Sequence, residues 1–258
     1  MGISISTERR DGILLIEINR PEKKNALTLA MYTALAEVLK QAEADATVRA
    51  MLLHGQPEVF SSGNDLHDFA SFAPDRLLES QPAYDFLFAL SGATKPVVAA
   101  VNGGAIGIGT TLLLHCDLVY AGEQARFQLP FVNLGLCPEG AASLLLPMLM
   151  GHRRAAELLL LGEPFSARKA WEIGLVNEIL PDSQVLDHAL ARARQLAAQP
   201  PASVRLTKRM IKQEWVAAVG RTLRAEAVQF AERLQSPEAK EAFQAFFEPR
   251  APDFSRFE

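Results

Sequence analysis

Glu139 lies between Pro138 and Gly140, in apolar surroundings that would make its carboxyl group a weaker acid than usual. The surrounding stretch, Leu134–Ser143 (LGLCPEGAAS), is apolar on both sides of Glu139 and reads as the junction of a loop with a helix. An apolar cleft disfavours the ionised form of a carboxyl group and moves its pKa up toward neutrality. Such a pKa suits a group that both takes and returns a proton. The alternative is a first-turn glutamate that only complements the helix dipole.

Two upstream loops contain glycines and could supply the electrophilic half of such a site. Residues 60–66 (FSSGNDL) follow a predicted buried strand, and residues 102–111 (NGGAIGIGTT) open a predicted helix. Glycine permits close approach of the backbone to a ligand, and the unpaired N–H groups at a helix start stabilise an oxyanion. An ordinary strand-to-helix turn and tight helix-on-sheet packing stay open as structural explanations of the two loops.

Motifs for several other chemistries are absent from the sequence. Ser62 lies in no GxSxG motif, which argues against a serine nucleophile. The pair Gly107 and Gly109 lacks the third glycine and the acidic residue of a dinucleotide fingerprint, and no GxxxxGK[ST] loop occurs. Cys116 and Cys137 form no CxxC, and the histidines show no ligand spacing, so we expect no metal site.

Composition and charge limit the classes of partner. The chain has 258 residues, 49% of them hydrophobic and 22% charged, with a net charge of −4. This composition is typical of a globular protein, and the acidic balance predicts no nucleic-acid partner. No run of 18 apolar residues occurs and the N-terminus lacks a signal-type segment, so we expect no membrane association and a cytoplasmic location.

Apolar and polar patterning predicts an α/β fold. A hairpin is expected from residues 3–8 and 13–19, and buried strands at 50–54, 96–101 and 118–121. Helices are expected at 28–44, at 76–92, and after Gly104 to about residue 115. Buried strands that alternate with helices are typical of an α/β core.

The pattern changes near residue 180, after which the chain is nearly all helical. Four helices are expected there, at 183–198, 202–213, 217–234 and 237–247. We therefore divide the chain into an α/β core at 1–195 and a helical region at 196–258. The phenylalanines of this region, at 230, 243, 246 and 247, predict that it docks on the core or on another subunit.

Taken together, these segments resemble the crotonase (enoyl-CoA hydratase/isomerase) superfamily over nearly the whole chain. The resemblance implies a spiral of ββα turns and a C-terminal helical region that builds homotrimers, often paired into hexamers. The segments that carry it are NRP at 19–21 with NAL at 25–27, FSSGNDL at 60–66, VNGGAIG at 101–107, CDLVYA at 116–121, and the glycine and alanine positions from 162 to 176.

The resemblance implies an acyl-CoA thioester whose carbonyl oxygen is held by two backbone N–H groups. By motif position these donors are Ser62 and Ile108. No separate cofactor is implied, because coenzyme A is part of the substrate. The residues implied to line the coenzyme A site are Ser62, Gly63, Asn64, Asp65, Leu66 and Ile108, with Lys24 and Ala26 as further candidates and Lys24 near a phosphate.

Two departures from the family pattern distinguish branches within it. Family hydratases carry two glutamates, and here Thr111 and Phe131 stand at those positions. Neither side chain can activate water, so hydration is not expected. Glu139 instead resembles the single glutamate of the Δ3,Δ2-enoyl-CoA isomerase branch, especially its peroxisomal type. The resemblance therefore implies a shift of a 3-enoyl-CoA double bond to trans-2-enoyl-CoA, with Phe131 helping to exclude water.

Two other functions stay open at this point. One is a different activity of the same superfamily, namely dienoyl isomerisation, thioester hydrolysis or a loosely specific hydratase. The other is a catalytically silent acyl-CoA-binding protein. The acyl group itself is expected to occupy a tunnel lined from residue 66 to about residue 90, where the apolar side chains are Phe69, Phe72, Leu77, Leu78 and Phe86.

Overall fold

The predicted N-terminal hairpin is confirmed. The computed structural model describes residues 4–66 and 81–257. In it, strand β1 (Ile5–Arg10) pairs antiparallel with β2 (Ile13–Ile18). Asp11 and Gly12 close the turn with positive φ angles, which is the conformation that two-residue hairpin turns require.

The first helix, α1 (Leu29–Ala44), begins where the sequence predicts. The Thr28 hydroxyl oxygen accepts a hydrogen bond from the Met31 N–H at 3.3 Å and caps the helix. Its buried face carries Met31, Tyr32, Leu35 and Leu39, at the three- and four-residue spacing of a helix that packs on a core.

The remaining elements follow in chain order. The central segment contains β3 (Ala50–His54), β4 (Val59–Ser61), α2 (Pro82–Ser91), β5 (Val97–Val101), β6 (Gly104–Ile106), α3 (Ile108–Thr111), β7 (Leu118–Gly122) and β8 (Arg126–Gln128). The C-terminal half contains α4 (Ala142–Met150), α5 (His152–Leu161), β9 (Phe165–Ser166), α6 (Ala167–Glu172), β10 (Glu178–Leu180), α7 (Val185–Ala198), α8 (Pro201–Leu234) and α9 (Pro237–Phe247).

The described strands form two sheets, and successive turns of the chain contribute to both. The larger has the order β1-β2-β3-β5-β7-β10 and is parallel apart from β1, and the smaller has the order β4-β6-β8-β9 and is parallel apart from β9. Each of the pairs β3–β4, β5–β6 and β7–β8 places one strand in each sheet. This repeat confirms the predicted α/β class and stacks the loops after β4 and β6 side by side.

Two predicted boundaries are wrong. The helix expected directly after Gly104 begins only at Ile108, and residues 104–106 form strand β6 between β4 and β8. Tertiary pairing has overridden the helix-start pattern of the glycines here. Residues 201–234 form one helix instead of the two expected, because the segment between 213 and 217 contains neither glycine nor proline to end it.

The larger sheet is covered on both faces. One face joins the main core with α1 and α2, and α7 covers the other with Val185, Ala189, Leu190 and Ala193. The division of the chain at residue 195 stays a prediction. In the described residues, no helix is both long enough and apolar enough to cross a lipid bilayer.

Candidate active site

The two glycine loops pack against each other through their backbones. Gly63 has a φ of +91°, and a Cβ atom at this position would lie 2.7 Å from the Ile106 carbonyl oxygen. A Cβ atom on Gly109 would lie 2.7 Å from the Ser61 carbonyl oxygen. Any larger residue at either position would push the loops apart, which explains why both are glycine. The predicted convergence of the two loops is confirmed.

The backbone N–H of Asn64 is left free in this arrangement. The Leu27 N–H donates to the Gly63 carbonyl at 2.8 Å, and the Asp65 N–H donates to the Leu27 carbonyl at 2.9 Å. In such a parallel bridge the N–H of the central residue, Asn64, points to the opposite side. It has no acceptor among the residues that the structure describes. The Asn64 side chain is fixed separately, because its Oδ1 atom accepts a hydrogen bond from the Tyr32 hydroxyl.

The assignment of Ser62 as a backbone donor is wrong. Its N–H donates to the Lys24 carbonyl oxygen at 3.0 Å and is therefore not available to bind a ligand. Asn64, two residues further on, has the free amide instead. The signal for this in the sequence was Gly63, since a positive φ at that glycine turns the N–H of the next residue out of the local ladder.

Ile108 presents the second free amide, as the sequence predicted. It is the first residue of α3, where backbone N–H groups have no partner within the helix. Two nearby amides are occupied: the Gly107 N–H donates to the Gln128 carbonyl at 2.9 Å, and the Thr110 N–H donates to the Gly107 carbonyl at 2.9 Å. Across the described part of the chain, the Ile108 N–H meets no acceptor.

Glu139 lies three residues before α4, in the loop-to-helix junction that the sequence predicted, and its side chain is buried. The residue is 4% exposed, and its Oε1 atom accepts a hydrogen bond from the Thr111 hydroxyl at 2.5 Å. Burial raises the pKa of Glu139 to about 8; the Thr111 hydrogen bond opposes this shift and the charge of Glu226 adds to it. Thr111, at a position where hydratases carry a glutamate, thus donates a hydrogen bond to the carboxyl group of Glu139.

Two buried titratable groups hold the backbone that carries Glu139. Gly140 and Ala141 both have positive φ angles, which is unusual for the alanine. The His115 Nε2 atom lies 2.8 Å from the Gly140 carbonyl oxygen, and because a carbonyl only accepts, His115 is the donor. Burial lowers the pKa of His115 to about 4, so the imidazole is neutral at pH 7.

Glu226, from the long helix α8, fixes the other side of this loop. Its carboxylate accepts hydrogen bonds from the Ala141 N–H at 2.6 Å and the Ser143 N–H at 2.9 Å. Sequence reasoning missed His115 and Glu226, because no local motif links residues 24 and 87 positions away from Glu139 to this loop. The C-terminal helices therefore dock on the core as predicted, and α8 contacts the loop that carries Glu139.

Glu139, Asn64 and Ile108 line one cavity of about 50 Å³. The cavity is mostly apolar, and α8 contributes Phe230 to it. Phe131, expected to exclude water, is buried in the core but is not among the described lining residues. The described residues that line the cavity are Leu27, Leu29, Tyr32, Asn64, Asp65, Gln81, Ala83, Tyr84, Leu87, Ile108, Glu139, Phe230, Ala231 and Leu234.

The remaining predicted coenzyme A and acyl positions divide into three groups. Asp65 lines the cavity, and its carboxylate forms an ion pair with Arg20 at 2.6 Å; Arg20 also donates to the Ala26 carbonyl at 3.0 Å. The Lys24 side chain is exposed, while Ser62, Gly63 and Leu66 do not line the cavity. Phe86 is buried in the core without lining the cavity, and the other predicted tunnel residues, Phe69, Phe72, Leu77 and Leu78, lie outside the described residues.

Comparison with known proteins identifies the family. Residues 8–256 match the family model described as enoyl-CoA hydratase/isomerase. Enoyl-CoA delta isomerase 2 of Rattus norvegicus is 40% identical over 215 residues, which are 82% of this chain and 54% of that protein. The 2,3-dehydroadipyl-CoA hydratase of Escherichia coli is 33% identical over 247 residues, or 95% and 96% of the two chains.

A solved structure agrees with these matches. The enoyl-CoA hydratase/isomerase of Pseudoalteromonas atlantica superposes with a TM-score of 0.92 at 43% identity, covering 97% of this chain and 99% of that one. This chain spans about half the length of the rat isomerase, and the relatives include both isomerases and hydratases. The fold, the converging loops and these matches agree: the chain is an enzyme of the enoyl-CoA hydratase/isomerase family, the crotonase superfamily that its motifs resemble.

Proposed function

We propose that this protein is a Δ3,Δ2-enoyl-CoA isomerase, which moves the double bond of a 3-enoyl-CoA into conjugation as trans-2-enoyl-CoA. The observation that carries the proposal is the cavity that Glu139 shares with Asn64 and Ile108. It combines a buried carboxyl group without a cationic partner and two backbone N–H groups without acceptors, among the described residues. Such a site suits proton transfer next to a carbonyl whose oxygen gains negative charge.

The two amides act on the thioester oxygen. The N–H groups of Asn64 and Ile108 bind it, and removal of a proton from C2 then spreads negative charge onto this oxygen as a dienolate. Donors fixed in advance stabilise the charge where it develops, and one such donor typically contributes about 3–4 kcal/mol to the barrier reduction.

Glu139 moves the proton. Its carboxylate takes the proton from C2, the double bond shifts, and the protonated Glu139 returns that proton to C4, so no atom is gained or lost overall. A pKa of about 8 leaves part of the population ionised at neutral pH and makes the carboxylate a stronger base than an exposed glutamate. One carboxyl group is enough, because both steps are transfers of the same proton.

The proposal excludes efficient hydration. Addition of water requires a group that activates the water, and the two positions where hydratases carry glutamates hold Thr111 and Phe131. The Thr111 hydroxyl is engaged with Glu139, and Phe131 is buried in the core. An apolar cavity also keeps water away from the dienolate.

The direct test is a spectroscopic assay on the purified protein. We expect a 3-enoyl-CoA to be converted to the conjugated 2-enoyl-CoA, seen as an increase in ultraviolet absorbance. We expect trans-2-enoyl-CoA supplied as substrate to lose little of that absorbance, since hydration would remove the conjugation. Rapid hydration, or hydrolysis of the thioester without isomerisation, would reject the proposal in favour of another activity of the family.

The pH dependence of the reaction should report on Glu139. Because the base must be ionised, kcat/KM of the wild type is expected to rise with pH through about 8. Thr111→Val is nearly isosteric and removes the hydrogen bond that stabilises the ionised form, so its midpoint should move to higher pH. Thr33→Val, on the exposed face of α1, is the matched control. A midpoint that stays fixed or falls in Thr111→Val would contradict the proposed role of Glu139.

Coenzyme A binding and assembly complete the proposal. We place the coenzyme A moiety beside the loop of residues 62–66, with the exposed Lys24 near a phosphate.

We also propose a homotrimer or a dimer of trimers, supported by exposed apolar side chains on α8. These are Leu206, Met210, Ile211, Trp215 and Val216. Light scattering of the purified protein should give the mass of three or six chains, and a monomeric mass would reject this part.

A further inference from the structure

Two polar side chains at the start of α2 face the cavity. Gln81 immediately precedes the helix and Tyr84 lies in its first turn, and both are cavity-lining residues. They are only 7% and 9% exposed. A separation of three residues places them on the same side of the helix start.

Neither side chain has a hydrogen-bond partner among the described residues. The single fully enclosed polar side-chain atom without a partner in that part of the chain is Asn102 Oδ1. The Gln81 amide and the Tyr84 hydroxyl are therefore not fully enclosed by the protein, and the two residues that carry them line the same cavity. Buried polar groups are almost always hydrogen-bonded, so these two require a partner that the described residues do not supply.

The other polar groups around the cavity are already occupied. Glu139 accepts a hydrogen bond from Thr111, the Asn64 side chain accepts one from Tyr32, and Asp65 is paired with Arg20. The rest of the lining consists of apolar side chains apart from Tyr32 itself. Gln81 and Tyr84 therefore form a separate polar pair within an apolar acyl site.

The pair is chemically suited to an uncharged oxygen. Burial and the nearby carboxyl group of Glu139 raise the pKa of Tyr84 well above its ordinary value, so the phenol stays protonated and donates. The Gln81 amide both donates and accepts. Together they match a hydroxyl or carbonyl oxygen. They do not match a carboxylate, because neither group carries a positive charge and Glu139 is close by.

We propose that Gln81 and Tyr84 recognise a hydroxyl or carbonyl oxygen on the acyl chain, beyond the carbons that react. This inference rests on the proposed isomerase function and specifies its substrate class as oxygen-bearing acyl-CoA thioesters. A site built to bond a substrate oxygen discriminates against the analogue that lacks it, because the protein groups are then left unpaired.

The test compares 3-octenoyl-CoA with its 6-, 7- and 8-hydroxy derivatives. For the wild type, kcat/KM should be at least about tenfold higher for one of the hydroxy substrates than for the parent. Tyr84→Phe should abolish this preference, measured as the ratio of kcat/KM for the hydroxy substrate to kcat/KM for the parent, so that any change in rate common to both substrates cancels. Tyr120→Phe, a buried tyrosine that contacts His188 away from the cavity, is the matched control and should keep the preference.

A binding measurement separates this inference from the proposed function. Dissociation constants for octanoyl-CoA and its three hydroxy derivatives do not depend on turnover, and the wild type should prefer one hydroxy ligand while Tyr84→Phe should not. Absence of isomerisation with this binding preference intact would reject the isomerase proposal alone. Equal affinity for all four ligands, or an equal loss for all of them in Tyr84→Phe, would overturn the assignment of the polar pair.

Discussion

Glu139→Gln is expected to lower kcat for isomerisation of a 3-enoyl-CoA by about 1,000-fold, within the range typical of lost general acid–base catalysis. Glutamine has the same shape, but its amide cannot take a proton from C2. The fold should be retained, because the glutamine carbonyl can accept the Thr111 hydrogen bond that Oε1 accepts now. Removing a buried ionisable group also removes its desolvation cost. The rate is measured from the absorbance of the conjugated product.

The variant should still bind its ligand. The dissociation constant for a saturated acyl-CoA is expected to stay within a few-fold of the wild-type value, since the two amides of Asn64 and Ile108 are untouched. Glu157→Gln, which changes an exposed glutamate 3.8 Å from Lys169, is the matched control and should keep the full rate. A Glu139→Gln enzyme with near wild-type kcat would show that another group moves the proton.

The sequence predicted the elements whose patterns are local. Local patterning of apolar and polar residues predicted the β1–β2 hairpin, the strands β3, β5 and β7, and the start of α1, because each depends on residues near in sequence. It failed at residues 104–106, where three small or branched residues became a strand only through pairing with β4 and β8. Such pairing partners lie far along the chain and leave no local pattern.

The residues of the candidate site also divide into those that the sequence predicted and those that depend on distant contacts. Glu139 was predicted from its apolar surroundings, and Ile108 from its motif position in the family resemblance. The free amide lies at Asn64, two residues after the predicted Ser62, because the hydrogen bond from Ser62 to Lys24 depends on how the 24–28 segment lies against the loop. His115, Glu226 and Tyr84 were missed altogether. Each comes from an element that only the fold brings next to Glu139.

The helical C-terminal region is more closely tied to the site than its composition indicated. Glu226 in α8 accepts hydrogen bonds from the backbone at the start of α4, and its charge adds to the rise in the pKa of Glu139 that burial mainly causes. Phe230, one turn later, lines the same cavity. Docking of α8 therefore holds the loop that carries Glu139 and adds to its basicity, so a change in the packing of this helix should alter the reaction rate.

Ile108→Pro is expected to lower kcat by about 100- to 1,000-fold, the usual cost of removing one oxyanion donor. Proline lacks only the N–H among the backbone groups, and the first position of a helix is where it is best tolerated. No internal hydrogen bond is lost, since the Ile108 N–H has no acceptor among the described residues. The preceding residue, Gly107, has φ 57° and ψ −121°. These angles are the mirror image of the extended conformation that the residue before a proline favours, and glycine can adopt them because it has no Cβ atom.

Ile108→Ala separates the loss of the amide hydrogen from the loss of side-chain volume. Ile108 is buried, so both variants leave a void and should be destabilised to a similar degree, by about 2–5 kcal/mol. Alanine keeps the N–H, however, and at a temperature where both are folded it should retain most of the wild-type kcat. If alanine and proline slow the reaction equally, the effect comes from packing and the donor role of Ile108 is wrong. If only proline does, the amide hydrogen is what stabilises the dienolate.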